Sequence, residues 1–412
     1  MSSRYSDNEQ KPEMRLARGP RWSRLFAILL SVVLAIAVIS GVVIYLFGHN
    51  LFQLTNFVSE AKQVILKEEE LPEEAKQTIS KEESRGTVLN ESELDHLHQT
   101  MHDVDTKIST ISNENVYNLL LVGVDRTDKS WNGNSDSMML VSINFRKERI
   151  SIISLMRDTY VSIPEVGYNK LNNSYALGGG DLLCATITSN FNIDVSRYAA
   201  VDFENMVEVI DAMGGVDLEI TPEEAEVANG YIYDMCNRTL NLNYEDYLIF
   251  DSGFQHCNGV QAVAFARNRF VGNSDYARTS RQRYVISQLM KKAKNMGVPQ
   301  MMLVARKVLP LITHNVKETE IWDLVSKLPL LLKFDVVQDR VPYDNEYEVI
   351  YVNDQDMLVP NWETTITQMH ETIYGEGTIS DNEDNDPKDR TEGNQEYTAE
   401  YEAIRAEAGA AD

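Results

Sequence analysis

A layered α/β domain over about residues 116–372 is the fold class this sequence predicts, on three observations. Short apolar runs, YNLLLVGVD, SMMLVSINF and RISIISLMRD, follow one another with polar turns between them and read as strands buried on one or both faces. Stretches with helical spacing of apolar residues come after them, at 172–191, 203–213, 260–265, 279–294, 300–311 and 319–332. Strands mixed with helices of these lengths pack as layers around a core, and 43% hydrophobic content in 412 residues is enough to fill one. A late strand is expected at 349–352, and 221–258 reads as a tyrosine-rich excursion.

The segments before and after this domain have other compositions. Residues 1–24 form a tail carrying Arg15, Arg18, Arg21 and Arg24, and an uncharged run, LFAILLSVVLAIAVISGVVIYLF, fills 25–47. That length spans a bilayer core, and the run lacks the short apolar region and cleavage site of a signal peptide, so it reads as a retained transmembrane helix. Arginines on its N-terminal flank put the tail in the cytoplasm and everything after Gly48 outside the cell membrane. Two heptad-like stripes at 48–115, one through Leu54, Val58, Ala61 and Ile65 and one from Leu94 to Ile111, read as a helical stalk that packs on the head domain or self-associates. Residues 373–412 are acidic, nearly free of large aliphatics, and predicted to be disordered.

A formal net charge of −25 excludes the broad phosphate-tracking surface on which nucleic-acid binding depends. Cys184, Cys236 and Cys257 contain no C-x-x-C pair, which argues against zinc, although Cys236 and Cys257 are placed to pair across one loop. His96, His98 and His102 have no patterned Cys or carboxylate partners and read as solvated.

Against this acidity the stretch 261–289, QAVAFARNRFVGNSDYARTSRQRYVISQL, gathers Arg267, Arg269, Arg278, Arg281 and Arg283. Guanidinium groups at such density either pair with carboxylates or bind a strongly anionic ligand. Arg267 and Arg269 alternate in an extended exit from a helix, and Arg278 and Gln282 share a helix face at i, i+4. Asp125, followed by Arg126, ends the first strand, and Asp136 opens the second. Two close carboxylates need a proton or cation between them, which suits a divalent ion with oxygen ligands, Mg²⁺ first. Arg157 ends the third strand, and Lys170 follows. Gly178, Gly179 and Gly180 lack the Lys-Ser/Thr ending of a P-loop and read as a turn between helices.

In order along the chain, NLLLVGVDR with NSDSMMLVSIN, SLMRDTYVSIP with YNKLNNSYALGG, YAAVDFENMVEVIDAMGGVDLEI, and AFARNRF with DYARTSRQR are similar to the motifs of the LytR-CpsA-Psr family, over roughly 116–296. The resemblance implies a three-layer α/β/α fold with a mixed central sheet and a groove for a polyprenyl chain. It implies a phosphotransferase of cell-wall assembly, moving an anionic glycopolymer such as teichoic acid or capsule from a polyprenyl pyrophosphate carrier to a sugar hydroxyl of peptidoglycan, with Mg²⁺ or Mn²⁺. By motif match Asp125 and Asp136 are the metal carboxylates, and Asp125, Arg157, Arg267 and Arg278 carry the catalysis. Lys170, Arg269, Gln282, Arg126 and Asp275 are the substrate-binding set, with Asp125 or Asp275 as general base; Arg283 is expected at the surface. Many members have Arg two residues before the second aspartate, where this chain has Asn134, and commonly Pro where it has Met156. These departures keep a second reading open, a non-catalytic module that binds polyprenyl pyrophosphate or wall polymer and regulates envelope assembly.

Overall fold

Seven strands form the central sheet: β1 (Asn56–Phe57), β2 (Val116–Asp125), β3 (Asn134–Asn144), β4 (Arg149–Leu155), β5 (Tyr198–Asp202), β6 (Thr313–His314) and β7 (Asp335–Val341). Their spatial order is β1-β6-β5-β2-β3-β4-β7. The sequential pairs β2–β3 and β3–β4 are antiparallel, whereas β5 joins β2 and β7 joins β4 in parallel, so the sheet is mixed. The computed structural model describes residues 48–59, 65–72, 86–126, 129–272 and 274–375; the apolar run at 25–47, expected to span the membrane, and the acidic stretch from 376 lie outside the described residues. Among the described residues no helix is long and apolar enough to cross a membrane. The chain divides into a unit Met1–Gln53, described from residue 48 as a short helical stretch, and a unit Leu54–Asp412 that carries the sheet.

The helices are α1 (Glu91–Lys107), α2 (Leu171–Phe191), α3 (Phe203–Ala212), α4 (Pro222–Asp234), α5 (Gly259–Arg267), α6 (Ser274–Lys294), α7 (Val298–Val308), α8 (Glu318–Leu331) and α9 (Trp362–Tyr374). Period-two alternation in the strands sends side chains to opposite faces, and both are covered. On one face Leu120, Val122, Leu140 and Ile153 share a core with Met101 of α1, Ile187 of α2 and Met369 of α9. On the other, Met139, Ile150 and Ile152 pack against Ile286 and Met290 of α6. Helices α3 to α6 close a further cluster through Val207, Ile232, Val263 and Val285.

The second apolar stripe, expected as stalk, is α1, and its Met101 and Val104 are buried in the domain core. A heptad-like stripe says only that a face needs covering, and here the domain covers it. The first stripe is not one continuous helix, because Asn56–Phe57 is extended and pairs with β6; four apolar positions are too few to fix a period. The tyrosine-rich interval belongs to the layers: it supplies α4, a π-helix at Met235–Leu240, and a strand, Gly253–Cys257, antiparallel to Val216–Ile220. The glycine run does break α2, with Gly179 at φ 64°, and the freed Leu177 carbonyl accepts from the Leu66 amide at 2.9 Å. A Cβ on Gly180 would lie 2.3 Å from the Tyr198 ring, so these glycines serve close packing.

Cys184, Cys236 and Cys257 are buried free thiols, so the pairing that the loop permits is not made. Burial pushes Cys236 up to about 11 and Cys257 up to about 12, which keeps both protonated and unreactive. A reducing agent should therefore leave the thermal midpoint unchanged, and the denatured, unreduced chain should titrate three thiols; a count of one would reveal a disulfide.

His98 is not solvated: its ring stacks on Tyr168 at 3.7 Å, and Nε2 hydrogen-bonds with the Tyr160 hydroxyl at 2.9 Å. Burial lowers the pKa of His314 and of His370. As pH falls below about 6.5 the unfolded chain takes up these protons before the folded one does. Stability from this source is complete above that pH and declines as pH falls through the depressed folded-state values. The urea midpoint should thus drop between pH 7.5 and 5.5, and less so when both histidines are replaced by glutamine; an equal drop in the variant would locate the effect elsewhere.

Candidate functional site

Asp125 is the last residue of β2 and pairs with Asn134; Val124 pairs with Ser135, but Gly123 pairs with Ser137, so Asp136 is the extra residue of a β-bulge. A bulge re-aims its side chain out of the ladder's alternation, and Asp136 meets the guanidinium that leaves the next strand end. Its Oδ1 accepts from Arg157 Nη1 at 3.0 Å, and its Oδ2 lies 3.9 Å from Arg278 Nη1. Arg157 Nε donates to Asp158 at 3.3 Å, and the other Asp158 oxygen receives Lys170 Nζ at 2.8 Å. Lys170 is held there because it closes the hairpin Tyr160–Ile163/Gly167–Lys170 and starts α2.

From the other side, α6 brings Asp275 and Arg278 together at 2.8 Å, one turn before Gln282. Arg267, at the end of α5, sits 3.6 Å from Asp125 Oδ2, with its guanidinium over Phe203 at 4.7 Å and Tyr231 at 5.4 Å. Arg269 lies over Phe270 at 5.5 Å, and its charge acts on Asp275. Arg126 donates to the Trp131 carbonyl at 2.8 Å and lies 3.9 Å from Asp202.

Burial alone would push the Asp136 carboxyl up, but the Arg157 and Arg278 guanidiniums outweigh it and hold Asp136 below the usual carboxylate range. The same contest, with Arg278, Arg157, Arg269 and Lys170 against burial, leaves Asp275 well below that range. Both carboxylates are thus charged at neutral pH and are weak bases. Arg278 is nearly buried, and its Nε has no hydrogen-bond partner among the described residues. The cluster holds Arg126, Arg157, Lys170, Arg267, Arg269 and Arg278 against Asp125, Asp136, Asp158, Asp202 and Asp275, a small cationic excess in an acidic protein.

No group of three His, Cys, Asp or Glu side chains that could cage a metal occurs among the described residues. Of the two carboxylates expected to hold Mg²⁺, Asp136 faces Arg157 and Arg278 and Asp125 faces Arg267, so both are occupied by guanidiniums, and an ion there would draw most of its ligands from substrate phosphate oxygens and water.

Beside this cluster an apolar cavity of about 210 Å³ lies between the sheet and helices α3, α5 and α6. Leu121, Met139, Val201, Met206, Val263 and Leu289 are among its walls, and apart from Ser137, Arg267 and Gln282 the lining carries no polar side chain. A greasy slot with one guanidinium, that of Arg267, in its wall can hold a molecule with a long hydrocarbon tail and an anionic head.

The family model described as the LytR_cpsA_psr family matches residues 75–368. This chain belongs to the LytR-CpsA-Psr family. It is 27% identical over 241 residues to the polyisoprenyl-teichoic acid–peptidoglycan teichoic acid transferase TagU of Enterococcus faecalis, covering 58% of this chain and 72% of TagU. It is 32% identical over 243 residues to biofilm regulatory protein A of Streptococcus mutans, covering 54% of each chain, so it spans about half of that relative. A solved structure described as TagT bound to LI-WTA superposes with a TM-score of 0.50 at 20% identity, covering 63% of this chain and 91% of TagT. The structure of YwtF from Bacillus subtilis does so with 0.50 at 20% identity, covering 65% and 94%. These likenesses show the fold, a mixed α/β architecture on a central mixed sheet.

Within the family's arginine-rich stretch the structure separates two kinds of guanidinium. Arg281 is fully buried, with Nε on Glu224 at 2.9 Å and its Nη atoms on the Asn268 and Val271 carbonyls, a structural ion pair. Arg283, expected at the surface, is also buried, donating to Ser154 and Ser280, because α6 packs on the sheet there. Asp158, which joins Arg157 to Lys170, was not singled out from sequence; its place directly after Arg157 was the available signal. Phe203 and Tyr231 beneath Arg267 gave no local signal, since they reach it from two other helices.

Proposed function

We propose that this protein is a membrane-anchored phosphotransferase that moves an anionic glycopolymer from a polyprenyl pyrophosphate carrier to a sugar hydroxyl of peptidoglycan. The observation that carries it is the junction of the apolar cavity with the arginine–carboxylate cluster, made by Arg267 and Gln282. The name of the TagU relative describes the same class of transfer. The uncharged run at 25–47 would anchor the chain in the lipid bilayer with its N-terminus cytoplasmic, and the domain would work outside.

In this reading the polyprenyl chain fills the cavity, and Arg157, Lys170, Arg267, Arg269 and Arg278 surround the pyrophosphate. The acceptor hydroxyl oxygen forms a bond to the polymer-bearing phosphorus, the bond to the bridging oxygen breaks, and polyprenyl phosphate leaves with that electron pair. The hydroxyl proton passes to a carboxylate. Asp275 is a weak base, because its arginines hold it well below the usual range, which leaves Asp125 as the candidate acceptor. Asp125 and Asp136 would hold Mg²⁺, which when bound would neutralise pyrophosphate oxygen charge. The chain's own contribution is positioning and fixed positive charge, the chief requirement of phosphoryl transfer.

The test is release of polyprenyl phosphate by the full-length protein given a lipid-linked pyrophosphate glycan, peptidoglycan and Mg²⁺. Wild type should release it, Asp125→Ala should not, and Ala266→Trp, which fills the cavity, should lose lipid binding. If wild type and Asp125→Ala release equally little while both bind lipid, the chain is a binding module and the transfer reading fails.

A further inference from the structure

A second, polar cleft of about 150 Å³ opens beside Asp125. Phe203 and Arg267 line both it and the apolar cavity, so these two side chains stand between the two spaces. The far wall comes from the end of α4 and the π-helix that continues it, through Asp234, Arg238 and Thr239. π-helical turns are rare and concentrate at functional sites, because the wider turn shifts side chains out of the helical register. Arg238 is held over the cleft by Asp234, Nε to Oδ1 at 3.0 Å, and is itself largely exposed.

The charge balance of the lining decides what fits. Arg126, Arg238 and Arg267 face Asp125, Glu204 and Asp234, an equal number of each sign, with a threonine hydroxyl and the Phe203 ring beside them. A polyanionic chain needs an excess of cations, which this cleft lacks. Sugar hydroxyls need both carboxylate acceptors and guanidinium donors, together with an apolar surface for the ring face. We infer that this cleft is the acceptor site, binding an uncharged N-acetylhexosamine unit of a glycan strand with its hydroxyl toward Asp125. This rests on the transfer reading above and adds the direction of approach. The attacking and leaving oxygens of a phosphoryl transfer are roughly in line, so an acceptor should enter across the Phe203–Arg267 partition from the lipid. Arg238 and Thr239 then hold the acceptor and have no part in holding the lipid.

The full-length protein in detergent tests this with chitopentaose, an uncharged β-1,4-linked N-acetylglucosamine oligomer, as the binding probe. Wild type should bind it; Arg238→Ala should weaken binding roughly tenfold and Thr239→Val roughly threefold, the scale of losing a charged and a neutral hydrogen bond. Both variants should bind polyprenyl pyrophosphate as wild type does, and in the transfer assay should raise the acceptor KM with little change in kcat. Absence of chitopentaose binding by wild type would overturn the assignment, as would variants that bind it normally. Variants that instead lose affinity for the lipid-linked glycan would give the cleft to the donor and equally overturn it. If wild type binds chitopentaose and the variants weaken it while no transfer occurs, the sugar site stands and the transfer reading falls.

Discussion

Arg278→Ala should lower transfer by on the order of a hundred-fold or more, the usual consequence of removing one preorganised donor aimed at developing oxygen charge. The guanidinium lies between Asp275 at 2.8 Å and Asp136 at 3.9 Å, nearly buried, with an Nε that no described residue satisfies. Held by both carboxylates, it presents a fixed positive charge at the site. Arg278→Lys keeps the charge but loses the fork, so it should recover only part of the rate. Because Arg157 and Arg278 both face Asp136, the double alanine variant should cost less than the two single losses combined. Transfer rates measured alongside melting curves separate lost chemistry from lost folding. Folded Arg278→Ala protein with unchanged transfer would remove this residue from the site.

The other large effect is on stability and comes from the neighbouring turn of the same helix. Arg281→Ala should destabilise the domain by about 3–5 kcal/mol, because it strands the Glu224 carboxylate where no water reaches. Glu224 also closes the capping box at the start of α4, so its displacement would loosen that helix end. Replacing both partners, Arg281→Met with Glu224→Leu, should recover much of the loss, since two apolar side chains need no mutual compensation. Chemical denaturation of the singles and the double measures this. An Arg281→Ala protein of normal stability that no longer binds polyprenyl pyrophosphate would make Arg281 a ligand.

The contrast between Arg278 and Arg281 shows where sequence reading stops. The two are three residues apart on one helix and equally basic, yet one borders the candidate site and the other sits in a closed ion pair. Composition and spacing do not separate them, and only the family resemblance singled out Arg278; the partner that fixes the role of Arg281, Glu224, lies 57 residues away. The same holds for Arg283, whose partner Ser154 is 129 residues distant, and for α1, whose apolar stripe reads alike whether it faces a second copy or its own domain.

By itself the sequence determined the first three strands from Val116, six of the helices that follow, the break at Gly178–Gly179, and membership of the LytR-CpsA-Psr family, but not the sheet strands Tyr198–Asp202 and Asp335–Val341 or the helices Pro222–Asp234 and Trp362–Tyr374. Period-two and period-3.6 patterns, turn residues and contiguous motifs are local, and local signals survive in a linear string. Only the tertiary structure decided that Asp136 is a bulge residue aimed at Arg157, that Cys236 and Cys257 stay apart, and which arginines are locked in the core. It alone showed an apolar cavity and a polar cleft sharing one wall at Arg267. Each of these depends on which distant side chains share a buried volume, and burial, which sets both the cost of an unpaired charge and the identity of its partner, is a property of the packed chain.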